Sequence, residues 1–126
     1  MSPQDRKRYQ WKYVFAMYFM HKIVWIDDTL QQDAQLVLQE MFPQELLTAL
    51  ELTETQQMSV LFEESLTQIP QKLPIADKMD IIGMCFATAS AKGTVNPAEI
   101  AVIQVAAEKM GVSNEDLFAY IQTLLD

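Results

Sequence analysis

Apolar residues recur along this chain in blocks at helical spacing, and prolines, glycines and short polar residues separate the blocks. The first block is the longest. Ser2-Pro3-Gln4-Asp5 reads as a helix cap with proline in the first turn, and apolar positions follow from Tyr9 to Ile26. Trp11, Tyr13, Val14, Phe15, Met17, Tyr18, Phe19 and Met20 leave almost no polar face, which predicts a helix surrounded by others at the centre of the domain. Asp27-Asp28-Thr29 breaks the pattern, because short polar side chains compete for backbone hydrogen bonds. Leu36, Val37, Leu38 and Met41 restart it in a second helix over about 32–42, which ends before Pro43. Pro43-Gln44-Glu45 opens a short helix through Leu46, Leu47 and Leu50. Thr53-Glu54-Thr55-Gln56 has the form of a capping box for another through Val60, Leu61 and Leu66. Ile69 to Pro74, with two prolines, reads as the midpoint linker.

Pro74 can start a helix that runs through Met79, Ile82, Phe86 and Ala89. The sharpest punctuation follows, in Lys92-Gly93-Thr94-Val95-Asn96-Pro97-Ala98-Glu99. Gly93 suits the left-handed conformation that closes a helix, Asn96 can cap the next, Pro97 fits its first turn, and Glu99 stands three residues after the cap. That next helix spans about 97–110, with Ile100, Ile103, Val105 and Met110 before Gly111, and Ser113-Asn114-Glu115-Asp116 caps a last one carrying Leu117, Ile121, Leu124 and Leu125. The pattern gives six or seven helices. Laying Asp27-Asp28-Thr29-Leu30 over Lys92-Gly93-Thr94-Val95, 65 positions on, also brings Val37-Leu38-Gln39 onto Val102-Ile103-Gln104, a weak internal duplication.

Composition narrows the class. A chain of 126 residues, half of them hydrophobic, can bury a core as one domain over 1–126, and three glycines with abundant Leu, Ala, Met, Gln and Glu indicate an all-α fold. Cys85 is the single cysteine, so no intrachain disulfide forms, and a reducing cytoplasm is the expected location. The polar N-terminus lacks a secretory core, and the apolar run Val14 to Met20 is too short to span a bilayer.

The net charge of −8 is unevenly laid out. Residues 1–22 hold Arg6, Lys7, Arg8, Lys12 and Lys22 against Asp5 alone, whereas Ile23 to Pro70 contains nine acids and no Lys or Arg. The acidic middle excludes nucleic acid as a partner there and suits cations or basic partners. Arg6, Lys7, Arg8 and Lys12, interleaved with Tyr9, Trp11 and Tyr13, form the candidate interaction patch for a protein partner or an anionic membrane surface. The other reading is that these cations offset the acidic segment within the fold.

Ala91-Lys92-Gly93-Thr94-Val95-Asn96-Pro97-Ala98-Glu99, then Ile100, Ile103, Ala106, Ala107 and Met110-Gly111-Val112-Ser113, resembles the second half of a TerB-type domain. That family is named from tellurite resistance proteins and also occurs in some membrane-bound DnaJ-like co-chaperones. Its pattern is approximately A-D-G-x-hydrophobic-x-x-x-E followed by an amphipathic helix. Asp27-Asp28-Thr29-Leu30 is similar to a first copy of it, so the resemblance covers residues 9–126 and implies a six- to seven-helix TerB-like bundle of two pseudo-symmetric halves. Lys92 stands where the family has an acid before glycine, Asp28 replaces glycine in the first copy, and Ala34 stands at the position of Glu99, with Asp33 one residue early. The resemblance implies a protein of bacterial stress response, acidic and cation-binding in some members, with no established catalytic activity.

Candidate chemistry is sparse. Asp27, Asp28 and Asp33 offer hard oxygen ligands for a divalent cation, the one candidate cofactor, but without the EF-hand glycine and glutamate. Capping is the competing role for Asp27 or Asp28. His21 reads as a packed or hydrogen-bonded residue beside Met17, Met20 and Trp25, Cys85 as a small buried residue, and the methionines as core filler. No phosphate loop, metalloprotease motif or nucleophile elbow occurs. The expectation is a non-enzymatic protein acting through protein–protein or membrane-surface contact. The alternative is a divalent-cation-binding regulator using Asp27, Asp28 and neighbouring acids, and an enzyme using Asp77 or Asp80 is the remote third.

Overall fold

A computed structural model describes residues 2–26, 31–91 and 93–125, with the side chains of 31–34 left aside. Among the described residues the chain forms seven helices and no strand: α1 Pro3–Ile26, α2 Gln31–Met41, α3 Gln44–Ala49, α4 Thr55–Lys72, α5 Ile75–Ala89, α6 Pro97–Lys109 and α7 Asn114–Leu125. α1 is the hub. It packs against α4, α5, α6 and α2, while α5 also meets α2, α6 and α7. Phe15, Ala16, Met20 and Ile23 of α1 are fully enclosed, among Ile69, Ile81, Cys85, Ile103, Met110 and Leu117 of the helices around them.

The ends of the helices follow the expected backbone chemistry in three places. Ser2 Oγ accepts from Asp5 N at 3.1 Å, and Ser113 Oγ accepts from Asp116 N at 3.2 Å, each capping a first turn. At α6 the reciprocal box closes: Asn96 Oδ1 accepts from Glu99 N and Glu99 Oε1 accepts from Asn96 N, both at 2.9 Å. Gly93 and Gly111 take positive φ, +99° and +79°, after α5 and α6.

Two expectations are corrected. The segment Ile69 to Pro74 is not a linker, because α4 continues to Lys72 with Pro70 inside it. Proline removes one hydrogen bond of the last turns, but Ile69 and Leu73, one turn apart, are both buried and hold that stretch against the core. The connection to α5 shrinks to Leu73-Pro74. Nor does Thr53-Glu54-Thr55-Gln56 form a capping box: the cap position falls on Glu54, one residue later than the pattern requires, with no side-chain cap bond. Burial of Leu61, Ser65 and Ile69 sets the register of α4 instead.

The 65-residue spacing extends well beyond the segment that suggested it. Ala16 and Ile81, Met17 and Ile82, Met20 and Cys85, Ile23 and Thr88, and Val24 and Ala89 are all buried pairs at that spacing in α1 and α5. Leu38 with Ile103, and Phe42 with Ala107, continue it. The correspondence is partial, since the fully buried Phe15 falls opposite the exposed Asp80 at the same spacing.

Candidate functional site

The N-terminal end of α1 and the C-terminal end of α4 border an open cavity of about 530 Å³, lined by Gln4, Asp5, Lys7, Arg8, Trp11 and Lys72. The first two to three turns of α1 bring these residues here because positions three and four apart share a face. Glu64 of α4 collects two of the donors: Lys7 Nζ lies 3.3 Å from Oε2, and Trp11 Nε1 donates to the same oxygen at 3.3 Å. Lys72 Nζ sits 6.0 Å from the centre of the Trp11 ring, within the range of a cation–π contact. Arg8 pairs with Asp5, and this guanidinium, helped by Ser2, holds the Asp5 carboxyl below the ordinary carboxylate range. Arg6 reaches Glu51 at 3.4 Å, and Tyr9 is exposed and stacks on Tyr13 with ring centres 6.3 Å apart.

Arg6, Lys7, Arg8 and Tyr9 thus stand together at one partly exposed end. Lys12 does not join them. Its side chain is 7% exposed, and its ammonium donates to Asp77 Oδ1 at 2.8 Å and Asp80 Oδ2 at 3.0 Å, bridging α1 to α5. Burial alone would push this ammonium down; the two carboxylates outweigh it and hold the Lys12 pKa above the ordinary lysine value. Asp77 and Asp80 are accordingly partners of a structural lysine.

Asp27 and Asp28 lie outside the described residues, and of Asp33 only the place in α2 is described. Among the described residues no group of three or more His, Cys, Asp or Glu converges closely enough to hold a metal ion. His21 departs from expectation: it is exposed, beside Met17, Tyr18, Met58 and Phe62 in a groove between α1 and α4. Cys85 is enclosed, and burial pushes its thiol up to about 12. Glu99 is fully buried with Oε1 spent on the α6 cap, while Oε2 has no hydrogen-bond partner.

The bundle of seven helices, with the capped α5–α6 hairpin at its second half, agrees with a comparison against protein families. The model of the tellurite resistance protein TerB matches residues 17–121. The chain belongs to the TerB family. No curated protein matches it, and no solved structure does. The TerB match begins beyond Lys12, so the basic end of α1 lies outside the matched stretch. The TerB pattern's glutamate, at Glu99, is here a buried helix cap. No helix among the described residues is long and apolar enough to cross a membrane. Of the cations lining the cavity, Lys72 escaped sequence reasoning. Lys72 sat in the supposed linker, and nothing in the local pattern places it over Trp11, 61 positions away (72 − 11).

Proposed function

We propose that this TerB-family protein acts by binding rather than by catalysis, in the bacterial stress response and in the cytoplasm, and that the basic end of α1 docks an acidic segment of a partner protein. The observation that carries this is the cavity flanked by Lys7, Arg8 and Lys72 on a chain that is otherwise acidic. The ion pairs there are exchangeable. Arg6–Glu51, Lys7–Glu64 and Arg8–Asp5 are all partly exposed, and such solvent-screened pairs contribute little to stability. A partner carboxylate can replace Glu51, Glu64 or Asp5 at little cost, and the local positive potential steers it in. Lys12, locked under Asp77 and Asp80, takes no part.

The test is proximity cross-linking in the host cell with the native chain and with Arg6→Glu/Lys7→Glu/Arg8→Glu, each mapped by mass spectrometry. Acidic protein segments joined to the first turns of α1 should vanish with the variant while its melting temperature holds. Unchanged cross-links would sink the docking site, and binding to anionic vesicles without any protein cross-link would move it to a membrane surface. Turnover by the purified protein in hydrolase or phosphatase screens would remove the non-enzymatic reading. The second reading, a divalent-cation regulator, is favoured by the nine acids and absent Lys and Arg between Ile23 and Pro70. It requires a rise in melting temperature with Ca²⁺, Mg²⁺, Mn²⁺ or Zn²⁺ that Asp27→Asn/Asp28→Asn abolishes.

A further inference from the structure

Among the described residues, the C-terminal half of α1 has one exposed face. Tyr18, His21, Lys22 and Trp25 recur there at helical spacing, with Trp25 76% and Tyr18 40% exposed. A groove opens on each side of Tyr18. One, of about 460 Å³, lies against α4 and contains Val14, Met17, Met58 and Phe62. The other, of about 330 Å³, lies against α6 and combines Tyr18, Phe19, Val102 and Val105 with Lys22 and Lys109. Large aromatic side chains left in water beside apolar grooves mark an interaction surface. The two lysines give the α6 side a local charge opposite to that of the whole chain.

The complementary surface is on the same molecule. α7 exposes Phe118 (44%) and Leu125 (65%) seven residues apart, hence on one stripe, about 10 Å along the helix. Glu115, one turn before Phe118, is exposed on that stripe with Asp116 beside it, and α7 contains no Lys or Arg. We propose that two copies of this chain pair about a two-fold axis, each docking its α7 into the other's groove between α1 and α6. Phe118 and Leu125 then cover Tyr18, Val102 and Val105, and Glu115 and Asp116 face Lys22 and Lys109. An amphipathic helix entering an apolar groove, with its charges deciding orientation, is a familiar mode of recognition.

Gel filtration with light scattering tests this at about 0.1 mM protein, where a contact of micromolar affinity is filled. The mass should rise from that of the 14.4 kDa protomer toward twice that value. Two double variants follow, Lys22→Glu/Lys109→Glu and Glu115→Lys/Asp116→Lys, all at exposed positions, with circular dichroism confirming the helices. Each alone places like charges together and should be monomeric. Their equimolar mixture restores opposite charges across both contacts and should associate again. A native chain that stays monomeric overturns the proposal and leaves the groove to an acidic helix of another protein. Association that survives either reversal, or a mixture that fails to reassociate, overturns the pairing of α7 with this groove.

Discussion

Removing the two carboxylates that hold Lys12 should destabilise the protein more than removing Lys12 itself. The lysine side chain is 7% exposed, while those of Asp77 and Asp80 are 29% and 59% exposed. In Asp77→Asn/Asp80→Asn an ammonium stays buried without its counter-charges. A fully buried orphan charge costs about 3–5 kcal/mol. Partial exposure of the site and the amide oxygens that remain as acceptors reduce this to about 2–3 kcal/mol. In Lys12→Met the apolar stem is kept, and both carboxylates can turn to water, so the loss is about 1 kcal/mol or less. Urea unfolding of the three proteins at neutral pH measures the order directly. The pH profile adds a sign. The Lys12 pKa is raised in the folded state above the ordinary value of 10.5, so its contribution is complete below that pH and is lost as pH climbs through the folded value. The gap between native protein and Lys12→Met should be constant at neutral pH and narrow above about pH 10.5. If Lys12→Met proves the more damaging change, the burial argument is wrong.

Two further outcomes are expected. Glu51 sits at φ 59° just after α3, a conformation costing an L-residue about 1–2 kcal/mol. Glu51→Gly should therefore melt higher than Glu51→Ala, both variants lacking the weak Arg6 pair, with a difference of about 1 kcal/mol; equal melting points would show that no strain resides there. The Cys85 thiol, pushed up to about 12 by complete burial, should resist a thiol reagent at pH 8 in the folded protein and react at the rate of unfolding. Rapid labelling without unfolding would contradict its enclosure.

The parts of the fold legible in the sequence were those written in backbone chemistry. Asn96 and Glu99 form the reciprocal cap their spacing announces, and Gly93 takes the positive φ that glycine favours. Where tertiary burial competes with a local signal, burial prevails: Pro70 stays helical because Ile69 and Leu73 are embedded, and α4 ignores the Thr53 cap to keep Leu61, Ser65 and Ile69 inside. The basic cluster of the candidate site was visible as composition, but not the removal of Lys12 from it. That depends on Asp77 and Asp80, 65 and 68 residues away. The most instructive gap is α1. Its lack of a polar face predicts a wholly surrounded helix, yet Tyr18 and Trp25 face solvent. A stripe reserved for a partner has the same apolar composition as one reserved for the core, so periodicity cannot separate them.

Lys12 and Asp77 touch and stand 65 residues apart, so in the alignment of the weak internal duplication they are counterparts. Residues both equivalent and in contact lie where a two-fold axis relating the halves would pass. Two identical chains meeting there would set lysine against lysine or aspartate against aspartate, a repulsive contact at a buried position. Joining the halves into one polypeptide lifts that restriction, since the two positions can then diverge into opposite charges. The Lys12–Asp77 contact is an asymmetry that separate identical chains cannot encode, and it makes the two halves mutually dependent rather than interchangeable.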